Sequence, residues 1–358
     1  MTEPILYISV GIFLAVWLSL LPAKEYQINC FFLLSLLVLS VISMPTVIGL
    51  ISFSSACFGI AYCFIQTKNK VVIFAGIAFC ISVFFIFQQL HVESSSVIFI
   101  GVIYVVCRQV HFLIETLTTA SLPCNYFQYL RYQCFLPCLI AGPIHRVDDF
   151  EKEIRRRKVT LEKISCGLER VVWGHFKVIV VAGALLSLVR LHLSKGLNES
   201  VLTLTSSFFD WINLYVVFSG FADIAIGFSL MLGIKIAENF NYPFVSQNIN
   251  EFWQRWHISL SQWCKHYVFT PSLAVTRSLF IASLFSMVVI GLWHEFSFRY
   301  VLWGIYHATG LIAFQWYCKQ AWRIALPKPI AVVFTLTFVI SSYPITSFIN
   351  QFIMQLLG

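Results

Sequence analysis

Four apolar runs without a single charge stand at the start of this chain, at residues 5–21, 28–44, 46–65 and 71–87. Each approaches the roughly 20 helical residues that cross a bilayer core. In that medium only internally hydrogen-bonded segments survive, so helices are expected. The run at 5–21, closed by Lys24 and Glu25, lacks a basic leader and a small-x-small cleavage site. It reads as a first membrane helix rather than a signal peptide. Charged residues make up only 11% of the 358 residues and apolar types 59%, whereas a soluble domain carries about 25% charge. A water-covered globule is therefore excluded. Ten Trp and fourteen Tyr suit the aromatic belts at membrane interfaces.

Residues 97–107 are too short to cross alone and are read as continuing through Arg108, His111 and Glu115, whose spacing places them near one helix face. Polar groups paired within the protein are favoured there over a cavity lining. Residues 126–144 are apolar but broken by Pro137 and by Gly142 and Pro143. Irregular backbone at membrane depth must be buried in protein or line a wet cavity, so this is a re-entrant or broken segment. A mixed-charge surface helix is expected after it, with Asp148 and Asp149 early and basic residues late, as the helix dipole favours. Nine of the 24 Lys and Arg fall within residues 146–177. Such a block marks the cytoplasmic side and suits anionic lipid heads, so the net charge of +8 is no nucleic-acid signal.

Further spans are expected at 171–189, 201–220, 221–234, 278–293, 300–317 and 330–353, with a loop at 190–199 and an interruption at Pro344. Asp223 sits among Gly220, Ala222, Ala225 and Gly227, small residues that let helices approach closely. A buried carboxylate needs a partner, so Asp223 reads as an interhelix acceptor rather than a catalytic group. The eleven cysteines show no C-x2-C spacing and read as small apolar packing residues. The fold class is all-α: a multi-pass integral membrane protein of about nine to eleven helical segments, some re-entrant or interfacial. It is read as one membrane-embedded domain over 1–358, with a motif-bearing core at about 126–317.

Two polar islands interrupt the apolar pattern. Residues 238–270 combine charge, amide and tryptophan with His257 and His266. If helical from Asn250, this stretch puts Phe252, Trp256 and Trp263 near one side and Glu251, Arg255 and Gln262 on another. Trp-rich and shorter than a span, it reads as lying in the interface or dipping into the protein. Arg255 and Lys265 suit the phosphates of a donor such as coenzyme A, and equally suit anchors that snorkel to headgroups. The second island ends a charge-free run in GLWHE. A charged side chain at such depth costs about 2.5–3.5 kcal/mol, so His294 is a functional candidate by default. A neutral imidazole there can act as general base, an effect of about 10²–10⁴-fold, or can simply pack between helices. Glu295 is adjacent but on another face, so no Glu–His dyad is drawn. H-E-x-x-H, G-x-S-x-G and P-loop patterns are absent. His257 and His294 lack an obvious third metal ligand, since His307 approaches only if two helices turn back, and no metal is assigned.

At AGPIHRVDDF (141–150), SGFADIAIGFSLMLG (219–233), ENFNYPFVSQNINEFWQRWHISLSQWCKHYVFTP (238–271) and GLWHEFSFRYVLWGIYHATG (291–310) the sequence resembles the membrane-bound O-acyltransferase family. The resemblance is to its bacterial branch of alginate O-acetylation and teichoic-acid D-alanyl transfer proteins, and the order and spacing of the four pieces carry it. It implies a funnel or tunnel through the membrane, with His294 at the catalytic position and His257 as the second motif histidine near the donor route. Trp253, Arg255 and Trp256, with Asn250 and Lys265, are then expected to form the donor channel. No permanently bound cofactor is implied; acetyl-CoA or another cytoplasmic acyl thioester is the donor, and the acceptor arrives from the other face. Glu295 stands where the bacterial pattern usually has glycine. The chain is short for the polysaccharide-acetylating branch, so helices are expected to be missing at one end.

The expected function is O-acyl transfer of a short group, acetyl first, to a hydroxyl of a cell-surface polysaccharide or lipopolysaccharide in the bacterial inner membrane. The partners would be the thioester donor, a glycan or glycolipid acceptor, membrane lipid and an extracytoplasmic acyltransferase, with no nucleic acid. Alternatives are a channel or transporter module handing acyl groups to a separate transferase, and a lipid or protein acyltransferase.

Overall fold

A computed structural model describes residues 2–22, 26–91, 98–139, 142–193 and 199–357. In chain order its α-helices are α1 (Thr2–Ser19), α2 (Gln27–Thr67), α3 (Lys70–His91), α4 (Ile98–Thr119), α5 (Tyr126–Gln133), α6 (Val147–Arg156), α7 (Leu161–His175) and α8 (Ser187–Leu193). They continue as α9 (Glu199–Met231), α10 (Ile249–Arg255), α11 (Ile258–Cys264), α12 (Thr270–Thr276), α13 (Leu279–His294), α14 (Phe298–Tyr317) and α15 (Lys328–Leu357). A π-helical stretch, Phe176–Leu186, joins α7 to α8. No strand occurs among the described residues. Among the described residues five helical runs are long and apolar enough to cross a membrane: Gln27–Thr67, Lys70–Gln89, Leu161–His192, Thr205–Met231 and Lys328–Leu356. The protein is an all-α, multi-pass integral membrane protein.

Several expected boundaries move. The runs at 28–44 and 46–65 are two arms of α2, joined at a kink where Ser43 leaves helical geometry just ahead of Pro45. Proline lacks the amide hydrogen and crowds the preceding turn, which bends a helix. At 41 residues, α2 would be about 60 Å long if straight, roughly twice a bilayer core. The spans at 201–220 and 221–234 are one helix, α9, which runs through Gly220 without a break. Nor does Pro344 interrupt α15. It cannot donate to the carbonyl of Ile340, and the Ser207 hydroxyl donates there instead, at 2.8 Å. Lys24, Glu25, Val97, Ala141 and the middle of the loop expected at 190–199 lie outside the described residues.

The chain divides into two compact units, Met1–Ile179 with Gly220–Ala237, and Val180–Ser219 with Glu238–Gly358. In the first, α4 carries the broken segment. Fully buried Arg108 donates through Nη1 to the carbonyls of Tyr132 and Gln133, at 3.1 and 3.2 Å, and through Nη2 to that of Cys138, at 3.1 Å. Irregular backbone thus receives donors that no helix or water supplies. The His111 Nε2 accepts from the Val147 amide at 3.1 Å, and Glu115 pairs with Arg146 at 3.0 Å. Arg131 grips Glu151 with one nitrogen on both carboxylate oxygens, each at 2.8 Å.

In the same unit α7 and α9 meet backbone to backbone. A Cβ on Gly167 would lie 2.6 Å from the Gly227 carbonyl oxygen, and one on Gly174 would lie 2.6 Å from that of Gly220. Asp223, between the two glycines of α9, accepts from Arg170 Nε at 2.8 Å and Lys177 Nζ at 2.6 Å. It is the interhelix acceptor that its small neighbours suggest. Asp223→Leu strands two cations. Loss of one partner from a fully buried pair costs about 3–5 kcal/mol. Here the cations keep 32% and 34% of their side-chain surface, so the expected loss is roughly 2 kcal/mol after screening. Detergent-solubilised protein should melt earlier, and adding Arg170→Met and Lys177→Met should restore part of the midpoint. A single mutant that melts like the parent overturns this account.

Candidate active site

Both polar islands lie in the second unit. The first does not form the continuous helix expected from Asn250 through Trp263. α10 stops at Trp256, whose backbone is extended, and His257 adopts a left-handed conformation (φ 43°, ψ 55°) before α11 begins. Asn239 imposes this corner. It is fully buried; its carbonyl accepts from the Ile258 amide at 2.9 Å and its side chain from the Ser259 amide at 3.2 Å. These are amides that the first turn of α11 cannot pair within itself. A non-glycine residue in the left-handed region stores about 1–3 kcal/mol of strain, held only where the surroundings over-determine it.

The corner drives the His257 ring inward, where it is buried against Phe218 (4.6 Å between centroids) and Trp293 (5.4 Å). Burial, and then the nearby His294, hold this imidazole well below the ordinary histidine range, so it stays neutral near pH 7.

His294 arrives from the second island. α13 ends on it, the chain turns at residues 295–297, and α14 runs back alongside α13. The two helices approach closely because neither Gly291 nor Gly304 has a side chain. A Cβ on Gly304 would sit 2.6 Å from the Met287 carbonyl oxygen, and one on Gly291 would collide with that of Tyr300. This hairpin gathers rings about His294: Trp293 at 5.0 Å, Trp303 at 5.5 Å and Tyr300 at 5.8 Å, the last stacked at 23°. His294 itself is exposed. Trp293 touches both His257 and His294, so the two imidazoles share one indole.

The same hairpin brings in His307, since Trp303 contacts His294 and lies 4.4 Å from His307. His307 is fully buried, and neither of its ring nitrogens has a hydrogen-bond partner among the described residues. Tyr300 and Trp303 complete the setting but escape a reading by motif. Their signal is the helical spacing of aromatic residues on α14, which is informative only once α14 is known to turn back. Among the described residues no three His, Cys, Asp or Glu side chains stand together as metal ligands.

The residues expected to form a donor channel have different surroundings, although Trp253 and Trp256 both pack on Phe252. Trp253 is buried against Trp303 (5.7 Å) and His307 (5.1 Å), on the same side as His294. Trp256 is buried on the other side of Phe252, stacked on it at 5.5 Å and ringed by Trp211 and Phe240. Arg255 is engaged by Glu251 at 2.7 Å and by the Asn241 carbonyl at 3.2 Å. Asn250 and Lys265 are exposed.

Residues 67–354 match the family described as MBOAT, membrane-bound O-acyltransferase family. The chain is similar to the probable alginate O-acetylase AlgI of Azotobacter vinelandii, 32% identical over 238 residues, covering 64% of this chain and 46% of that protein. It is similar to the peptidoglycan O-acetyltransferase of Helicobacter pylori, at 30% identity over 60% of this chain and 42% of the relative. The teichoic acid D-alanyltransferase of Bacillus subtilis is 27% identical over 73% of this chain and 71% of its own length. The aligned region spans about half the length of the alginate and peptidoglycan acetylases.

Proposed function

Because the chain belongs to the membrane-bound O-acyltransferase family, we propose that it moves a short acyl group, acetyl first, from a cytoplasmic thioester such as acetyl-CoA to a hydroxyl of a cell-envelope glycan at the bacterial inner membrane. The observation that carries this reading is the placement of His294, an exposed residue at the end of an apolar helix whose ring is held by three aromatic rings beside His257. In the proposed step the His294 imidazole takes the proton of the acceptor hydroxyl as its oxygen attacks the thioester carbonyl. The new C–O bond forms, the C–S bond breaks, and the departing thiolate takes up the proton from the imidazolium. The products are an ester and a free thiol, and the imidazole is returned neutral. General-base help of this kind contributes about 10²–10⁴-fold.

His257 is assigned a supporting place: neutral, fixed at its corner and sharing Trp293, it keeps the His294 ring in register. Trp253 lines the same side and is the donor-channel candidate best placed to act with it. Arg255, held by Glu251, fits a scaffold role; exposed Lys265 and Asn250 remain available to donor phosphates.

The test is direct. Purified protein in detergent is given acetyl-labelled coenzyme A and a soluble glycan, and labelled ester is measured. Transfer by this chain alone is the expected result. Ester formed only after a second protein is added favours a module that hands the acyl group on.

A further inference from the structure

A cavity of about 330 Å³ opens in the second unit next to His294, at the turn between α13 and α14 and against the last turns of α15. Its polar lining is Glu295, Ser297, Arg299, Ser347, Asn350 and Gln351. Two of these side chains are anomalous. Ser297 is the N-cap of α14, where a hydroxyl ordinarily accepts from the first-turn amides, yet it makes no such bond; its oxygen is buried without a partner among the described residues. On α15, Thr335, Ser342 and Thr346 turn their hydroxyls back onto carbonyls three or four residues earlier. The Ser347 hydroxyl does not, and it too is buried without a partner among the described residues. Each costs about 1–3 kcal/mol while unpaired, and a turn of χ1 to another staggered rotamer would present either hydroxyl to an occupant of the cavity that both residues line.

The chemistry of the wall selects that occupant. Arg299 is already countered by Glu295 at 3.2 Å and donates to the Tyr343 hydroxyl at 2.6 Å. Its guanidinium lies over the rings of Tyr300 and Tyr343, at 4.9 and 4.8 Å. A phosphate or carboxylate would meet the Glu295 carboxylate and find the cation taken. A neutral polyol would meet side chains that both donate and accept, namely two hydroxyls and the amides of Asn350 and Gln351. Phe298 and Met354 add an apolar surface suited to the face of a sugar ring. The volume sits at the small end of ligand pockets, which run from about 300 to 1,000 Å³, and matches a single ring. The cavity is joined to His294 through Tyr300, which stacks on that imidazole and carries the Arg299 guanidinium on its ring.

We infer that this cavity is the acceptor subsite and holds one uncharged sugar ring of the glycan, so that a hydroxyl nearby is presented to His294. The inference rests on the acyl-transfer reading above for the use of the subsite, but not for binding itself.

The experiment measures binding and transfer separately on the full chain in detergent. Chitotetraose and mannotetraose are titrated by saturation-transfer NMR, with glycerol phosphate as the charged polyol. Wild type should bind at least one tetrasaccharide and prefer it to glycerol phosphate. Asn350→Leu should weaken that binding about tenfold, and Ser347→Ala roughly threefold to tenfold. The Ser347→Ala protein should melt no earlier than wild type, because the hydroxyl it loses has no partner to forfeit; this separates a ligand contact from a structural one. Unaltered binding in both variants, binding of neither sugar by wild type, or tighter binding of glycerol phosphate overturns the proposal. His294→Ala should bind sugar normally. If it also transferred acyl groups at the wild-type rate, the catalytic reading would fail while the subsite stood.

Discussion

His294→Ala is expected to lower acyl transfer by about 10²–10⁴-fold while leaving the protein folded. His294 is an exposed residue, and its ring contacts are aromatic, with Trp293, Tyr300 and Trp303. Those three rings also contact one another or their neighbours: Trp293 with His257, Trp303 with Tyr300, Trp253 and His307. Removing the imidazole therefore leaves the surrounding rings with their other contacts in place. The loss should fall on kcat, with the KM for the thioester little altered, since a general base acts in the transition state rather than in donor binding. Labelled ester formed per minute by purified protein, at matched membrane levels, decides the matter. Full activity in a properly folded His294→Ala protein removes this residue from the reaction.

Trp256→Ala is the second large effect, and its cause differs. Trp256 is 4% exposed. It stacks on Phe252 at an interplanar angle of 16° and meets Trp211, Phe240, Tyr215 and Phe244 edge-on or tilted. Truncation leaves a cavity the size of an indole, and a buried Trp→Ala change costs about 3–5 kcal/mol. The aromatic pairs contribute about 0.5–1.5 kcal/mol each beyond buried area. The corner at His257 is the next residue, so loosened packing would reach the site through the backbone. The expected result is a thermal midpoint many degrees below wild type in detergent, with activity lost in proportion to folded protein. Trp256→Phe should recover most of both. A Trp256→Ala protein that melts normally but has a raised donor KM would instead make this side chain a channel wall.

The membrane class was legible because charge-free runs of helical length admit few other solvents, and Asp223 was legible because small residues surround it. Other features depended on residues far away in sequence. Pro45 and Pro344 look alike in isolation; only the second has its orphaned carbonyl filled, by Ser207, 133 residues away. The break at Trp256 and His257 was hidden because the apolar period continues straight through it, and the stop comes from Asn239. Motif position suggested His294 and His257, but not that Trp293 touches both. Trp253 and Trp256 look equivalent in FWQRW, yet only Trp253 is placed against His307, while Trp256 stacks on Phe252.

The glycines of α7 and α9 have a consequence for how this protein can change over time. Gly167 faces the Gly227 backbone and Gly174 faces the Gly220 backbone. Where a bulky side chain meets another side chain, trimming the neighbour can make room. Here the obstacle is main chain, which no codon change can trim. Enlarging any one of these four residues must instead pry the helices apart, and the carboxylate of Asp223 would draw away from Arg170 and Lys177 as they separate. Contact and charge balance would be forfeited together, so drift along this seam has no gradual route.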